Sequence, residues 1–124
     1  MTKKPGSPYR LRSRLRVVRG ADVVLGPGKA DLLEAIAQTG ELRAAATKLG
    51  MSYMRAWKLL QVMNAAFREH LVRTERGGKR HGSAVLTGTG MKVLSLYRLM
   101  ERSSLRASAP AWVRLRRLLL HRNT

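Results

Sequence analysis

Residues 42–67 read LRAAATKLGMSYMRAWKLLQVMNAAF. Leu42, Ala45, Ala46 and Leu49 recur at i, i+3, i+4 and i+7, which lines them along one stripe of a short helix. Gly50 follows the last apolar position and ends that helix, as glycine commonly does at a helix C-terminus. Ser52 can accept a backbone N–H as the N-cap of a second helix. There Tyr53, Ala56, Trp57, Leu60, Met63 and Phe67 share one face; Met54, Arg55, Lys58, Gln61 and Val62 share the other. Trp57 and Met63 read as core. Two helices joined by a tight turn, the second basic on its outer side, fit a helix-turn-helix. An ordinary helical hairpin with a solvated face fits the same residues, so the flanking chain has to decide.

Downstream, Leu71–Arg76 reads as a short strand and Ser83–Leu86 as its partner. Gly77-Gly78-Lys79-Arg80-His81-Gly82 between them is a glycine-rich basic turn. A hairpin with such a tip, directly after a helix-turn-helix, describes a wing; a plain surface hairpin rarely needs so many glycines and basic groups together. Thr87 or Thr89 then caps a helix from about Gly88 to Ser103. Val93, Leu94, Leu96, Tyr97, Leu99 and Met100 make it apolar on more than one side. The surplus is expected to meet the same helix of a second copy, or else to lie under the N-terminal strands. Ser103–Pro110 has the composition of a linker. Ala111–His121 reads as a basic amphipathic helix, with Trp112, Leu115, Leu118 and Leu119 on one stripe and Arg114 and Arg117 opposite. Such a helix suits packing on the domain or across a dimer better than a membrane surface.

Upstream, Leu32, Leu33, Ile36 and Ala37 stripe a helix from about Lys29 to Thr39, opened by Gly26-Pro27-Gly28 and closed by Gly40. Tyr9 to Val17 alternates strictly, with Arg10, Arg12, Arg14 and Arg16 on one side. Period 2 predicts a strand, and Val23-Val24-Leu25 can return beside it across the turn Arg19–Asp22. The arginine face suits either phosphate contact or a solvated edge that repels self-association. The expected organisation is a loose basic arm over 1–8, a DNA-binding domain over 9–105 and a basic C-terminal helix over 106–124.

Charge narrows the partner. The 124 residues carry 25 Lys+Arg against 7 Asp+Glu, a net charge of +18. An excess of that size favours a polyanion, through phosphate neutralisation and counterion release. There is no cysteine, no apolar run long enough to span a bilayer and no apolar core of a signal peptide after the basic N-terminus. A cytoplasmic protein is expected. No enzyme is visible: His70, His81 and His121 are scattered, and Gly77-Gly78-Lys79 lacks P-loop spacing. Neither a metal nor a cofactor is expected.

The order strand, helix, helix-turn-helix, wing, long helix resembles the winged helix-turn-helix of the LysR type. It is more closely similar to the N-terminal domain of the ModE family of molybdate-responsive transcriptional regulators. The residues carrying the likeness are LLEAIAQTG (32–40), Ser52-Tyr53 with Ala56-Trp57, Met63-Asn64, and Gly77-Gly78-Lys79 followed by Ala84-Val85-Leu86-Thr87 and Gly90. They span roughly residues 10–105. The resemblance implies a mainly α fold with small β elements. It also implies a homodimer joined through the helix 88–103, binding specific double-stranded DNA with the helix 52–67 in the major groove. The chain looks like the stand-alone form without molybdate-binding domains, so molybdate sensing does not carry over. Glu41 stands where a serine cap is usual, and Arg80, His81 and Ser83 stand where the family wing is nearly all glycine.

Candidate DNA contacts follow. Ser52, Met54, Arg55 and Lys58 reach base edges from the start of the second helix, with Arg55 suited to guanine or to a phosphate. Tyr53 either packs with its hydroxyl at the backbone or touches bases. Arg43 and Lys48 are candidate phosphate clamps, and a solvated face fits them equally. Lys79, Arg80 and His81 supply the wing. The alternative reading is a nucleoid- or RNA-associated protein that uses its charge without sequence choice. A third is an adaptor that passes a signal through the C-terminal helix.

Overall fold

The computed structural model of the chain describes residues 7–75 and 82–120. Its elements are β1 (Val17–Arg19), β2 (Asp22–Leu25), α1 (Pro27–Thr39), α2 (Leu42–Lys48), α3 (Tyr53–Ala66), β3 (Val72–Thr74), β4 (Ala84–Leu86) and α4 (Gly88–Arg116). The two sheets are antiparallel hairpins, β1–β2 and β3–β4. A single core lies between α1, α2, α3 and the first half of α4. Leu32, Leu33 and Ile36 of α1, Leu60 and Met63 of α3, Leu71, Val72 and Tyr97 fill it, each with almost no exposed surface. Full burial of such a side chain contributes roughly 1.5–3 kcal/mol. Trp57 and Phe67 pack against this core from its edge.

Asn64 fixes how the chain leaves α3. Its amide oxygen accepts from the N–H groups of Leu71 (2.8 Å) and Val72 (3.2 Å), and its Nδ2 donates to the Val72 carbonyl at 3.1 Å. Without it those buried backbone groups have no partner. Asn64→Ala is therefore expected to cost about 2–4 kcal/mol, read as a lower urea midpoint at unchanged m-value. An unchanged midpoint would mean that the turn finds other partners.

Thr87 ties the same turn to α4. Its hydroxyl donates to the His70 carbonyl (2.7 Å) and accepts the Gly90 N–H (3.0 Å), while its own N–H donates to the Leu71 carbonyl (2.9 Å). Further along, Arg98 joins α4 to α1 through Asp31 (2.9 Å) and Glu34 (3.3 Å), and it also pairs with Glu101 (2.9 Å). Burial opposes the Arg98 charge, but the hydrogen bonds to Asp31 and Glu101 hold its pKa above the ordinary arginine range.

Several expectations change. The strand expected over Tyr9–Val17 is paired only from Val17, opposite Leu25. The short β2 offers no backbone further up, so residues 9–16 run extended and unpaired. They are held instead by hydrogen bonds to the C-terminal half of the chain. The Tyr97 hydroxyl donates to the Leu15 carbonyl at 2.7 Å, and the Tyr9 hydroxyl donates to the Leu120 carbonyl at 2.8 Å. The linker expected over Ser103–Pro110 is helical, so the helices expected over 88–103 and 111–121 are one element that ends at Arg116. Pro110 removes one N–H and costs the helix about 3 kcal/mol. The carbonyl it orphans belongs to Arg106, which is exposed, so water can take the missing place. The loose arm expected over 1–8 lies mostly outside the described residues.

Candidate nucleic-acid interface

The turn between α2 and α3 is built by its own backbone. Gly50 sits at φ 69°. This lets the Met51 N–H reach back to the Ala46 carbonyl (3.0 Å) and the Gly50 N–H to the Thr47 carbonyl (3.1 Å), satisfying two carbonyls that α2 leaves open. Ser52 then caps α3 by accepting the Arg55 N–H at 3.1 Å. Glu41 gives α2 no side-chain cap. It pairs instead with Ser83 across a β-bridge, while the Ala84 N–H donates to the Gly40 carbonyl at 2.8 Å. The return strand of the hairpin is thereby fastened to the front of the helix-turn-helix.

Ala56, Leu60 and Met63 hold α3 against the core. Its first turn is left in solvent. Ser52, Arg55 and Lys58 are exposed, Met54 is 58% exposed and Tyr53 is 40% exposed. The angular position of Tyr53 sets it on the apolar side of α3, yet it is not core. The Arg43 guanidinium lies over its ring, 4.7 Å from the centroid, and braces α2 against the start of α3. Lys48 donates to the Gln38 side chain. Arg43 and Tyr53 thus meet on the α2 side of α3, while Ser52, Met54, Arg55 and Lys58 are exposed around its N-terminal end. The hairpin closes through Glu75, whose N–H donates to the Ser83 carbonyl (3.0 Å) and whose carbonyl accepts from Gly82 (3.2 Å). Lys79, Arg80 and His81 lie outside the described residues.

One cation escaped the sequence reading. Lys29, at the start of α1, stands beside Arg55 and donates to the Val23 carbonyl at 2.9 Å. Burial pulls its pKa below the ordinary lysine value, and the Arg55 charge adds to this. The signal was a lysine directly after Gly26-Pro27-Gly28, a position read only as a helix start. Among the described residues no group of three His, Asp or Glu side chains gathers to hold a metal, and no helix is long and apolar enough to cross a membrane.

Three helices about one core, with a short turn between the second and third and a hairpin after them, define a winged helix-turn-helix domain. Known proteins agree. A solved structure of the CbnR DNA-binding domain with DNA matches at a TM-score of 0.52 and 27% identity, over 68% of this chain and 95% of that one. In sequence, the chain is 36% identical over 100 residues to the molybdenum-pterin-binding protein MopB of Rhodobacter capsulatus, covering 81% of this chain and 37% of MopB. It is 39% identical over 74 residues to the molybdenum transport protein ModE of Herbaspirillum seropedicae, covering 60% of this chain and 28% of that protein. It is also 38% identical over 74 residues to the DNA-binding transcriptional dual regulator ModE of Escherichia coli K12. The chain is thus a homologue of the ModE and Mop proteins. It spans about a third of the length of these curated relatives, from 28% of ModE to 37% of MopB. No family model matches it.

Proposed function

We propose that this chain is a transcriptional regulator that binds specific double-stranded DNA as a homodimer. The observation that supports this best is the first turn of α3, an exposed mixed polar and apolar surface on a helix whose other side is locked into the core. In this reading α3 enters the major groove, and the basic tip over 77–82 meets the adjacent backbone or minor groove. Ser52 and Lys58 offer hydrogen bonds to base edges. Met54 offers apolar contact, for which the thymine methyl group is the natural match. Arg43 neutralises a phosphate beside Tyr53.

The second copy meets α4. Leu96, Leu99 and Met100 are 51%, 48% and 45% exposed, on the same helix whose Gly90 and Tyr97 are buried. An apolar face of this extent is covered when two copies pack α4 against α4.

Selection of binding sites from random duplex DNA tests the reading. A palindromic consensus is expected, its two halves related by the dimer axis. In Met54→Ala the preference at one or two positions of each half-site should relax, a loss on the order of 1–3 kcal/mol of discrimination. A specificity ratio near one for every sequence recovered would instead identify a charge-driven, non-specific nucleic-acid binder.

A further inference from the structure

A second group of cations flanks α3 on the side away from α2. Tyr53, under Arg43, marks the α2 side. Arg55 is two residues on, about 200° around the helix axis. There Arg55 lines a cleft of about 300 Å3 together with Arg14 and Arg16 from the unpaired N-terminal segment and Lys29 from the first turn of α1. The Tyr97 bond to the Leu15 carbonyl, 2.7 Å long, pins that segment between its two arginines. The Arg16 stem crosses the start of α1, where its Cγ would lie 3.5 Å from a Cβ built on Gly26. No acidic residue lines the cleft, and among the described residues none of these cations takes part in an ion pair. Arg10 lies elsewhere, in the groove along α4 with Leu105, Trp112 and Arg116.

Packing like charges around one cleft is unfavourable until an anion enters it. The pKa of Lys29 is lowered first by burial, and the Arg55 charge adds a smaller push in the same direction. A major groove is bounded by the phosphates of both strands. A helix lying in it needs cations on both flanks, and Arg43 serves only one.

We propose that Arg14, Arg16, Lys29 and Arg55 form a binding site for a backbone phosphate of the DNA strand opposite the one reached from α2. This rests on the DNA-binding reading above. It makes the N-terminal segment part of the interface and turns Arg55 from a base reader into a phosphate contact. Base reading is left to Ser52, Met54 and Lys58.

The test compares Arg14→Gln/Arg16→Gln with Arg10→Gln/Arg116→Gln, which removes the same charge away from the cleft. Affinity for a random-sequence duplex is measured across a range of salt concentrations, so no operator needs to be known. For the cleft variant the slope of log K against log salt should become shallower by about one, with affinity at about 0.1 M salt lower by on the order of 10-fold. The control should keep nearly the wild-type slope. Equal slopes for the two variants would overturn the inference and leave the DNA-binding reading standing. A wild-type chain that binds no duplex would overturn both. Titration with inorganic phosphate separates the sources. Wild-type binding of free phosphate as tight as that of duplex, lost in the cleft variant, would make the cleft a free-anion site and overturn the inference.

Discussion

Gly90→Ala is expected to destabilise the domain by roughly 3–5 kcal/mol or to prevent its folding altogether. A Cβ at this position would lie 2.0 Å from the Leu71 carbonyl oxygen and 2.9 Å from its carbonyl carbon. Neither is the end of a flexible side chain. Leu71 is fully buried, its N–H is held by Asn64, and its carbonyl accepts the Thr87 N–H at 2.9 Å. Relief requires α4 to lift from the turn before β3, which would break the Thr87 cap and draw Tyr97 out of the core. Gly88→Ala is the control. It sits in the same first turn with nothing within 4 Å of its Cβ position. That change should be neutral or stabilising by up to about 1 kcal/mol, because it narrows the unfolded ensemble. Urea denaturation of the two variants reads the difference. Equal midpoints would mean that the contact between α4 and Leu71 is looser than described.

The second large effect is expected from Leu96→Glu/Met100→Glu. Both side chains are about half exposed and neither belongs to the core cluster, so the monomer should keep its helix content and its urea midpoint. The proposed dimer should not survive. Two apolar contacts per copy would be replaced by charges facing their own symmetry mates, and the dissociation constant should rise at least ~100-fold, or about 2.7 kcal/mol. Sedimentation velocity measures this directly. Affinity for a palindromic duplex should fall with it, while affinity for a half-site stays close to wild type. A variant that sediments like the wild type would remove α4 from the interface.

The helices and the wing were legible because each is written locally. Leu42, Ala45 and Ala46 are buried at the spacing that predicted them, and Gly50 and Ser52 stop and restart the chain at the positions expected. Two readings failed for a shared reason. Alternation over Tyr9–Val17 says which side chains point together, but a strand also needs backbone to pair with, and β2 stops too soon. Ser103–Pro110 has the residues of a linker, but an exposed alanine-rich helix tolerates a proline once helix has formed on both sides of it. For Tyr53 the sequence leaves packing and base contact both open. Its angle on α3 was read correctly, but only the approach of Arg43 from α2 determines what covers it.

Residues 42–67 thus determined by themselves that two helices meet at a tight turn with a basic outer face. Periodicity, a glycine and a serine cap suffice for that, since all three act within a few residues. Tertiary structure alone decided what surrounds that face. It set Arg43 over Tyr53 on one flank and brought Arg14, Arg16 and Lys29 to Arg55 on the other. It also left Leu96 and Met100 bare on α4. Those groups are far apart in the chain, and their meeting depends on contacts such as Tyr97 with Leu15 and Gly90 with Leu71, which no local pattern encodes.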